Sequence, residues 1–173
     1  YEGGGLFADE YTSGSTPLVL HNSLITGNLA ETVDDSDYGT GGGGGGLWLS
    51  LDNATITQNE ISNNQSNYNG GGIFLYSGSV TFQDNVLDNN LSYVDGGGFF
   101  ANYGSHVVQS NSFSNNTAYD DGGGFRHYYG SSNIFGNTFT ENSAGDDGGG
   151  AKLSHSTSHE FHNNTLDSND TGD

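Results

Sequence analysis

The sequence predicts an all-β fold: a right-handed single-stranded parallel β-helix, or solenoid, of about six 26-residue coils. Three observations support this prediction. Glycine triplets recur with a constant period, short apolar runs follow each triplet in a fixed phase, and asparagines close the next two short strands. A period of this length is typical of solenoids, in which each repeat buries its core only against its neighbours.

The glycine triplets define the period and its two interruptions. Five of them begin at a constant 26-residue spacing, at Gly44, Gly70, Gly96, Gly122 and Gly148. An earlier triplet begins at Gly3, which predicts a 15-residue insertion within coil one, roughly over residues 9–43. The last coil carries one extra residue, which we place between Ser154 and His159. We expect the triplets to let the chain turn tightly and pack closely on the neighbouring coil.

The run after each triplet has the length and alternation of a β-strand. These runs are Leu47-Trp48-Leu49, Ile73-Phe74-Leu75, Phe99-Phe100-Ala101, Phe125-Arg126-His127 and Ala151-Lys152-Leu153. The first and third residues are predicted to face the interior, because alternate side chains of a strand point to opposite sides. A helical interpretation fails, since the apolar runs are short and are interrupted by Gly and Asn.

Asparagine occupies two further columns of the repeat. The columns are Asn59, Asn85, Asn111, Asn137 and Asn164, and Asn64, Asn90, Asn116, Asn142 and Asn169. Asn suits turns because it tolerates positive φ. Stacked Asn amides can also hydrogen-bond from coil to coil. The sequence favours simple turn chemistry and leaves the second interpretation open.

Composition excludes several classes of partner. The formal charge is −19, with Arg126 and Lys152 as the two basic residues. Two cations cannot neutralise many phosphates, so nucleic acid is not an expected partner, and binding to anionic membranes is disfavoured as well. The sequence has no stretch long and apolar enough to insert into a bilayer. The absence of Cys excludes a disulfide scaffold and thiolate metal sites.

The repeat resembles that of the polymorphic outer-membrane protein family of chlamydiae and related β-helical adhesin-like proteins. The family's Gly-Gly-Ala-Ile type motif has its counterpart in Gly71-Gly72-Ile73 and Gly97-Gly98-Phe99, and its Phe-x-x-Asn motif in Phe113-Ser114-Asn115-Asn116. Ala after the glycine pair is missing except at Ala151. The resemblance covers nearly the whole chain and implies surface display, adhesion or a passenger-domain role, with no catalytic residues.

The first candidate site is the outward column of the strand after each triplet. It contains Trp48, Phe74, Phe100 and Arg126, and Tyr76 and Tyr128 are predicted on the same face. An exposed stripe of large aromatic residues usually marks an interface. We expect protein packing here in preference to carbohydrate stacking. The alternative is that the insertion of coil one, or a part of the protein outside this sequence, covers the face.

The second candidate site is the acidic corner before each triplet. Asp95, Asp121 and Asp147 share one column, with Asp120 and Asp146 beside them. Stacked carboxylates repel one another, and oxygen-only ligands favour Ca²⁺ over a transition metal. We therefore predict a Ca²⁺ site, with a solvated acidic turn or adaptation to high salt as alternatives. The acidic run 34–37 is a further candidate.

The histidines are not predicted to form a site. His155, His159 and His162 lie near the extra residue of the last coil, and we expect them to be exposed polar residues. His127 occupies an inward position, where a core histidine is the expected interpretation.

Together these features predict a non-enzymatic extracellular or cell-surface protein, structural or adhesive. Residues 1–173 are expected to form a single β-helix segment, either part of a longer solenoid or a subunit that polymerises head to tail with aromatic side contacts. The expected partners are further copies of itself and a carbohydrate or another cell-surface molecule. The alternative is a secreted carbohydrate-active enzyme similar to the polysaccharide lyases, which combine Ca²⁺ with a basic residue on this fold; Arg126 or Lys152 would supply the base.

Overall fold

The chain forms a parallel β-solenoid. A computed structural model describes residues 2–9, 17–31 and 43–172. Every strand pairing in these ranges is parallel, and corresponding strands of successive coils are hydrogen-bonded side by side. From the second coil to the fifth the second and third sheets advance in 26-residue steps, as from Leu87 to Phe113 and from Phe113 to Phe139. In the first sheet a local irregularity interrupts this register between Leu75 and Val80. The fold predicted from the period is therefore confirmed.

Three main sheets line the solenoid. The first sheet contains the runs after the glycine triplets and the strands that follow them: Leu6–Asp9, Leu18–His21, Leu47–Thr57, Ile73–Gln83, Phe99–Ala101, Ser105–Gln109, Phe125–His127, Gly130–Phe135, Ala151–Leu153 and Ser156–His162. The second sheet has six strands: Leu24–Thr26, Glu60–Ser62, Val86–Asp88, Ser112–Ser114, Thr138–Thr140 and Thr165–Asp167. The third sheet also has six: Leu29–Ala30, Gln65–Ser66, Leu91–Ser92, Thr117–Ala118, Ser143–Ala144 and Asp170–Thr171. Glu2–Gly3 pairs with Gly43–Gly44 in a separate two-stranded ladder.

The interior is filled by one layer of side chains per coil. The predicted inward residues Leu47 and Leu49 are fully buried, and so are Ile56, further along the same strand, and Ile61 in the second sheet. Equivalent residues of the next coils continue these columns and form one hydrophobic core. Within the described residues no helix has the length and apolar character needed to cross a bilayer.

The insertion of coil one falls in two places. The offset between paired residues of the first two coils is 41 at Leu6 and Leu47 but 36 at Leu18 and Ala54. Five extra residues therefore lie between Asp9 and Leu18, and the remaining ten lie between Ala30 and Gly43, where the regular phase resumes. Most of both segments, and the acidic run 34–37, lie outside the described residues.

The extra residue of the last coil lies where the sequence predicts it. Gly130 pairs with Ser156, whereas Ser131 pairs with Ser158, so the irregularity falls at Thr157. Beyond that point the columns resume, and Phe161 lies beside Ile134.

The first and second glycines of each triplet are required for different structural reasons. The first, such as Gly96, has a φ of +66°, a conformation that favours glycine. The second, such as Gly97, leaves no space for a Cβ, because the carbonyl oxygens of Gly123 and Thr117 lie directly against it. The tight turn and the close approach expected from the sequence are thus both present.

The asparagine columns form two continuous ladders of hydrogen bonds. Asn85 donates from its main-chain N and from Nδ2 to Oδ1 of Asn111, at 2.9 and 3.1 Å, and Nδ2 also donates to the carbonyl of Ile56. Positive φ belongs instead to the residues just before the ladder positions, such as Asp84 and Ser110. The preference for simple turn chemistry at the ladder positions is therefore wrong: a buried amide that bonds in two directions holds successive coils together.

Candidate functional site

The predicted aromatic column exists as a continuous stack. Phe74 pairs in register with Trp48 on one side and Phe100 on the other, and Phe100 pairs with Arg126. The rings of Phe74 and Phe100 are nearly parallel, with centroids 5.3 Å apart. Their side chains form a cluster separate from the main core, with Tyr76 and Tyr128 packed against it. The predicted outward direction is therefore correct.

The prediction that this column is exposed is wrong. Trp48, Phe74, Phe100 and Arg126 are only 2, 1, 4 and 3 % exposed. The first glycine of the triplet lies against this column, so closely that a Cβ on Gly96 would lie 2.6 Å from Cβ of Phe100 and one on Gly122 would lie 2.8 Å from Cβ of Arg126. Alternation along a strand predicts which side of the sheet a residue occupies, but it does not show that a turn of the same coil covers that side.

Arg126 is the next residue of the column after the aromatic side chains, and its guanidinium is buried. Its Nη1 donates to the main-chain carbonyl of His127 at 2.9 Å and to Oγ of Ser154 at 2.8 Å. The guanidinium carbon lies 5.0 Å from the centre of the Tyr128 ring, a cation–π contact. These contacts leave the guanidinium little access to a ligand from solution.

The acidic column beside it is bonded internally. The main-chain N of Asp121 donates to Oδ1 of Asp95 at 3.1 Å, and that of Asp147 donates to Oδ1 of Asp121 at 3.3 Å. Oδ2 of Asp121 lies 3.7 Å from Nε of Arg126 and 2.6 Å from Nζ of Lys152, and Lys152 also binds Asp147 at 2.8 Å. The two cations of the chain therefore offset part of the negative charge of the stacked carboxylates that the sequence predicts to repel one another.

The pKa values of the aspartates in the acidic corner are shifted in different directions by their surroundings. Burial raises the pKa of Asp95 from 3.8 to about 6, although Arg126 nearby acts in the opposite direction. Burial and the neighbouring Asp121 raise the pKa of Asp120. By contrast, the hydrogen bond from Lys152 lowers the pKa of Asp147. Asp95 thus takes up a proton at a higher pH than an ordinary aspartate does.

Three of the five predicted metal ligands converge. Asp120, Asp121 and Asp146 each offer one carboxylate oxygen, and these oxygens all lie within 4.8 Å of one another. Asp95 and Asp147 lie beside Arg126 and Lys152 respectively. The donor set fits a hard cation that prefers oxygen ligands, but Lys152 already occupies one side of Asp121.

A cluster of three histidines, with His106 and His127 buried and His159 half-buried, is the feature that sequence reasoning missed. The ring of His127 lies between those of His106 and His159, with centroid distances of 4.9 and 5.0 Å. His127 is fully buried, as predicted, and its Nδ1 lies 2.6 Å from Oγ of Ser132. The prediction that His159 is exposed is wrong, whereas His155 and His162 are exposed as expected.

These imidazoles are held in the neutral form. Burial lowers the pKa of His106 from 6.5 to about 4 and that of His127 to about 3, and it lowers the pKa of His159 as well. The sequence contains a signal for this cluster: His106, Ser132 and His159 are one coil apart once the extra residue is counted, so they share an inward column.

Comparison with known proteins agrees with this architecture. A family model described as a right handed beta helix region matches residues 11–170. The chain belongs to this β-helix family. No curated protein and no solved structure shows a match to the chain. Members of a shared β-helix family can be structural or enzymatic, because the fold alone does not fix the function.

Within this β-helix the contacts of the buried column run between successive coils. Asp121 bonds to Asp95 of the coil before it, Arg126 lies beside both aspartates, and Phe74 stacks on Phe100. Aromatic surface is available elsewhere: Tyr103 is exposed and stacks on Tyr129 at 5.2 Å, and Tyr93 and Tyr119 are both exposed with centroids 4.8 Å apart.

Proposed function

We propose that this β-helix is an extracellular structural protein that stacks end to end into a fibre or filament at the cell surface. The observation that carries the proposal is the repetition of the same contacts along one axis. Parallel strands, asparagine ladders and stacked rings join each coil to the next in register. Repeats that contact only their neighbours form a quasi-one-dimensional stack, which suits an elongated structural element.

The lateral surface supports an adhesive role. Tyr93, Tyr103 and Tyr119 replace the buried Trp48 column as the available aromatic contacts. Tyr103 and Tyr129 stack face to face, with an interplanar angle of 8°, so they present ring edges more than ring faces to a partner. Ring edges suit contact with protein better than stacking of a sugar ring, and we therefore propose protein contacts on this surface ahead of carbohydrate.

Electron microscopy of the purified chain tests assembly. We expect unbranched filaments with a subunit repeat of about 30 Å, which is six coils at about 4.8 Å each. Single particles at every protein and salt concentration would refute the fibre. Immunogold labelling of the source cells with antibodies to this chain tests the location, and label confined to the cell interior would refute the surface assignment.

Calcium binding at Asp120, Asp121 and Asp146 is a further part of the proposal. If these three carboxylates bind Ca²⁺, saturating calcium should raise the melting temperature, with about 2.7 kcal/mol of stabilisation at a hundred times the dissociation constant. Scanning calorimetry with Ca²⁺ and after chelation measures the shift. The variant Asp146→Asn should abolish it, whereas Asp167→Asn, which removes an exposed acid on another face, should not. An unshifted melt of the unaltered protein would contradict the site.

A carbohydrate-active enzyme is the second candidate function. The observation that favours an enzyme is that three convergent carboxylates lie close to Lys152. Lyases on this fold combine a cation site with a basic residue. Incubation with acidic polysaccharides, with and without Ca²⁺, tests it through the ultraviolet absorbance of unsaturated products. The structural proposal predicts no product, because Arg126 is buried and Lys152 is bound to two aspartates.

A further inference from the structure

We propose that His106, His127 and His159 bind one Zn²⁺ ion inside the solenoid, and that this ion joins three successive coils. The site is separate from the proposed fibre and from the calcium site, because its ligands are imidazole nitrogens in the interior. Three observations support it: buried nitrogens without partners, a register that brings the three rings together, and hydrogen bonds that leave lone pairs free to bind a metal.

The three rings contain buried nitrogens without partners. Within the described residues, Nδ1 of His106, Nε2 of His127 and both nitrogens of His159 are closed to solvent and form no hydrogen bond. His106 and His127 are only 2 and 0 % exposed. Burying a polar atom without a partner costs free energy, so such an atom in a stable fold calls for an explanation. A metal ion that accepts imidazole lone pairs supplies one.

The register of the repeat brings the rings together around Ser132. His106, Ser132 and His159 follow one another in one inward column of successive coils, and the small side chain of Ser132 leaves room between the two imidazoles. His127 reaches into this room from the preceding strand of the same coil, since its Nδ1 lies 2.6 Å from Oγ of Ser132. Its ring centroid is 4.9 Å from that of His106 and 5.0 Å from that of His159. The three imidazoles therefore converge on the level of Ser132.

The hydrogen bonds of the rings determine which nitrogens can bind a metal. Nε2 of His106 lies 3.1 Å from the main-chain carbonyl oxygen of Tyr103. Because a carbonyl can only accept, Nε2 carries the proton of the neutral ring and Nδ1 carries the lone pair. Oγ of Ser132 can accept in the same way from Nδ1 of His127, which leaves the lone pair on Nε2. Metal-bound histidines typically donate their other N–H to an acceptor of this kind. Burial, which lowers the pKa of His106 and His127 in the metal-free chain, keeps both rings in the neutral form that binds metal.

An ion at the level of Ser132 is within reach of all three side chains. Neighbouring strands lie about 4.8 Å apart, so His106 and His159 are each one strand spacing from this level. That spacing is shorter than an imidazole side chain extended by a Zn–N bond of about 2.0 Å. The carboxylates of the acidic corner, unlike the imidazoles, already have their ligand atoms within 4.8 Å of one another. Zinc binding therefore requires the rings to turn about their side-chain bonds.

Ligand chemistry distinguishes this site from the acidic corner. Imidazole suits Zn²⁺ and other late first-row ions, whereas carboxylate oxygens suit Ca²⁺. Three histidines with water as the fourth ligand form a tetrahedral zinc site. Because the rings are enclosed, we expect the ion to enter as the chain folds, so that its binding free energy adds to the stability of the folded state.

Refolding in the presence of zinc tests the site. The chain is unfolded in urea, refolded with excess Zn²⁺ and passed over a chelating resin, and its metal content is measured by mass spectrometry. We expect about one zinc ion per chain and a higher melting temperature than after refolding with a chelator. His106→Val, His127→Leu and His159→Val should each retain no zinc, because each removes a ligand. These replacements introduce residue types that the same columns hold at Val80 and Leu75.

Matched variants separate this site from other ligands of the chain. His162→Gln removes an exposed imidazole and should retain the zinc. Asp146→Asn alters the acidic corner and should retain it as well. Ser132→Ala keeps the three imidazoles but removes the acceptor for His127, so zinc affinity should fall by about 10- to 100-fold.

Two results would overturn the proposal. One is an unaltered chain that retains no zinc after refolding with the ion. The other is zinc that is lost in Asp146→Asn but kept in the histidine variants, which would place the ion at the acidic corner.

Refolding with Co²⁺ provides a check that needs no variant, and circular dichroism confirms that each protein has regained its β-structure. A four-coordinate site with imidazole ligands should give the refolded chain strong visible absorption. The weak absorption of six-coordinate, oxygen-bound Co²⁺ would refute the histidine site even if a histidine variant failed to fold.

Discussion

Replacing Asn116 by alanine is expected to lower the free energy of unfolding by about 4 kcal/mol, because several buried groups lose their partners at once. The side chain is fully buried. Its Nδ2 donates to the carbonyl of Leu87 and to Oδ1 of Asn142, both at 2.9 Å, and its Oδ1 receives the main-chain N and Nδ2 of Asn90. Alanine supplies none of these bonds and leaves a cavity between two coils.

The matched control is Asn169→Ala, in the same column but less buried. Asn169 is half-buried and bonds to one neighbouring coil. We expect this substitution to cost about 1 kcal/mol, since water can reach the groups it releases. Urea unfolding followed by circular dichroism gives both values. Equal losses at the two positions would show that the ladder is not what holds the coils together.

Acidification is expected to destabilise the β-helix through the buried imidazoles. Burial lowers the folded-state pKa of His106 from 6.5 to about 4, so the unfolded chain binds this proton more readily than the folded chain does. The stability that His106 contributes is therefore complete above pH 6.5 and declines as the pH falls towards 4. The loss at pH 4 is about 3 kcal/mol for this residue, and His127 acts in the same direction.

The titration of Asp95 has the opposite effect on the pH dependence of stability. Its folded-state pKa is raised to about 6, so the cost of keeping it ionised is relieved as the pH falls through 6. The imidazole effect must therefore be isolated by comparing proteins that both retain Asp95. His106→Val and His127→Leu serve this purpose, because Val80 and Leu75 occupy the same inward columns in an earlier coil.

Thermal melts at stepwise pH provide the measurement. The double variant should lose a few kcal/mol less than the unaltered chain between about pH 7 and pH 4. His162→Gln, which replaces an exposed imidazole, should leave the profile unchanged. Parallel pH profiles for the double variant and the unaltered chain would show that the cluster does not govern acid stability.

The local rules of the repeat were visible in the sequence. A constant spacing of the glycine triplets implies a constant coil, and a constant coil aligns equivalent residues into columns, so the inward positions of Leu47, Ile73 and Phe99 follow from spacing and alternation alone. The single extra residue of the last coil is found in the same way, because an irregularity in a strict period has a definite position.

Only the tertiary structure decided what lies against each column. Phe74 and Phe100 are buried, and Gly96 approaches Phe100 in a positive-φ conformation that no periodicity of the strand predicts. The fold also brings Asp121 within reach of both Arg126 and Lys152. The column that the sequence predicts as an exposed interface is therefore buried, and the stacked acids beside it contact basic side chains. The reason is that alternation specifies only the direction of a side chain, whereas three-dimensional contact specifies its surroundings.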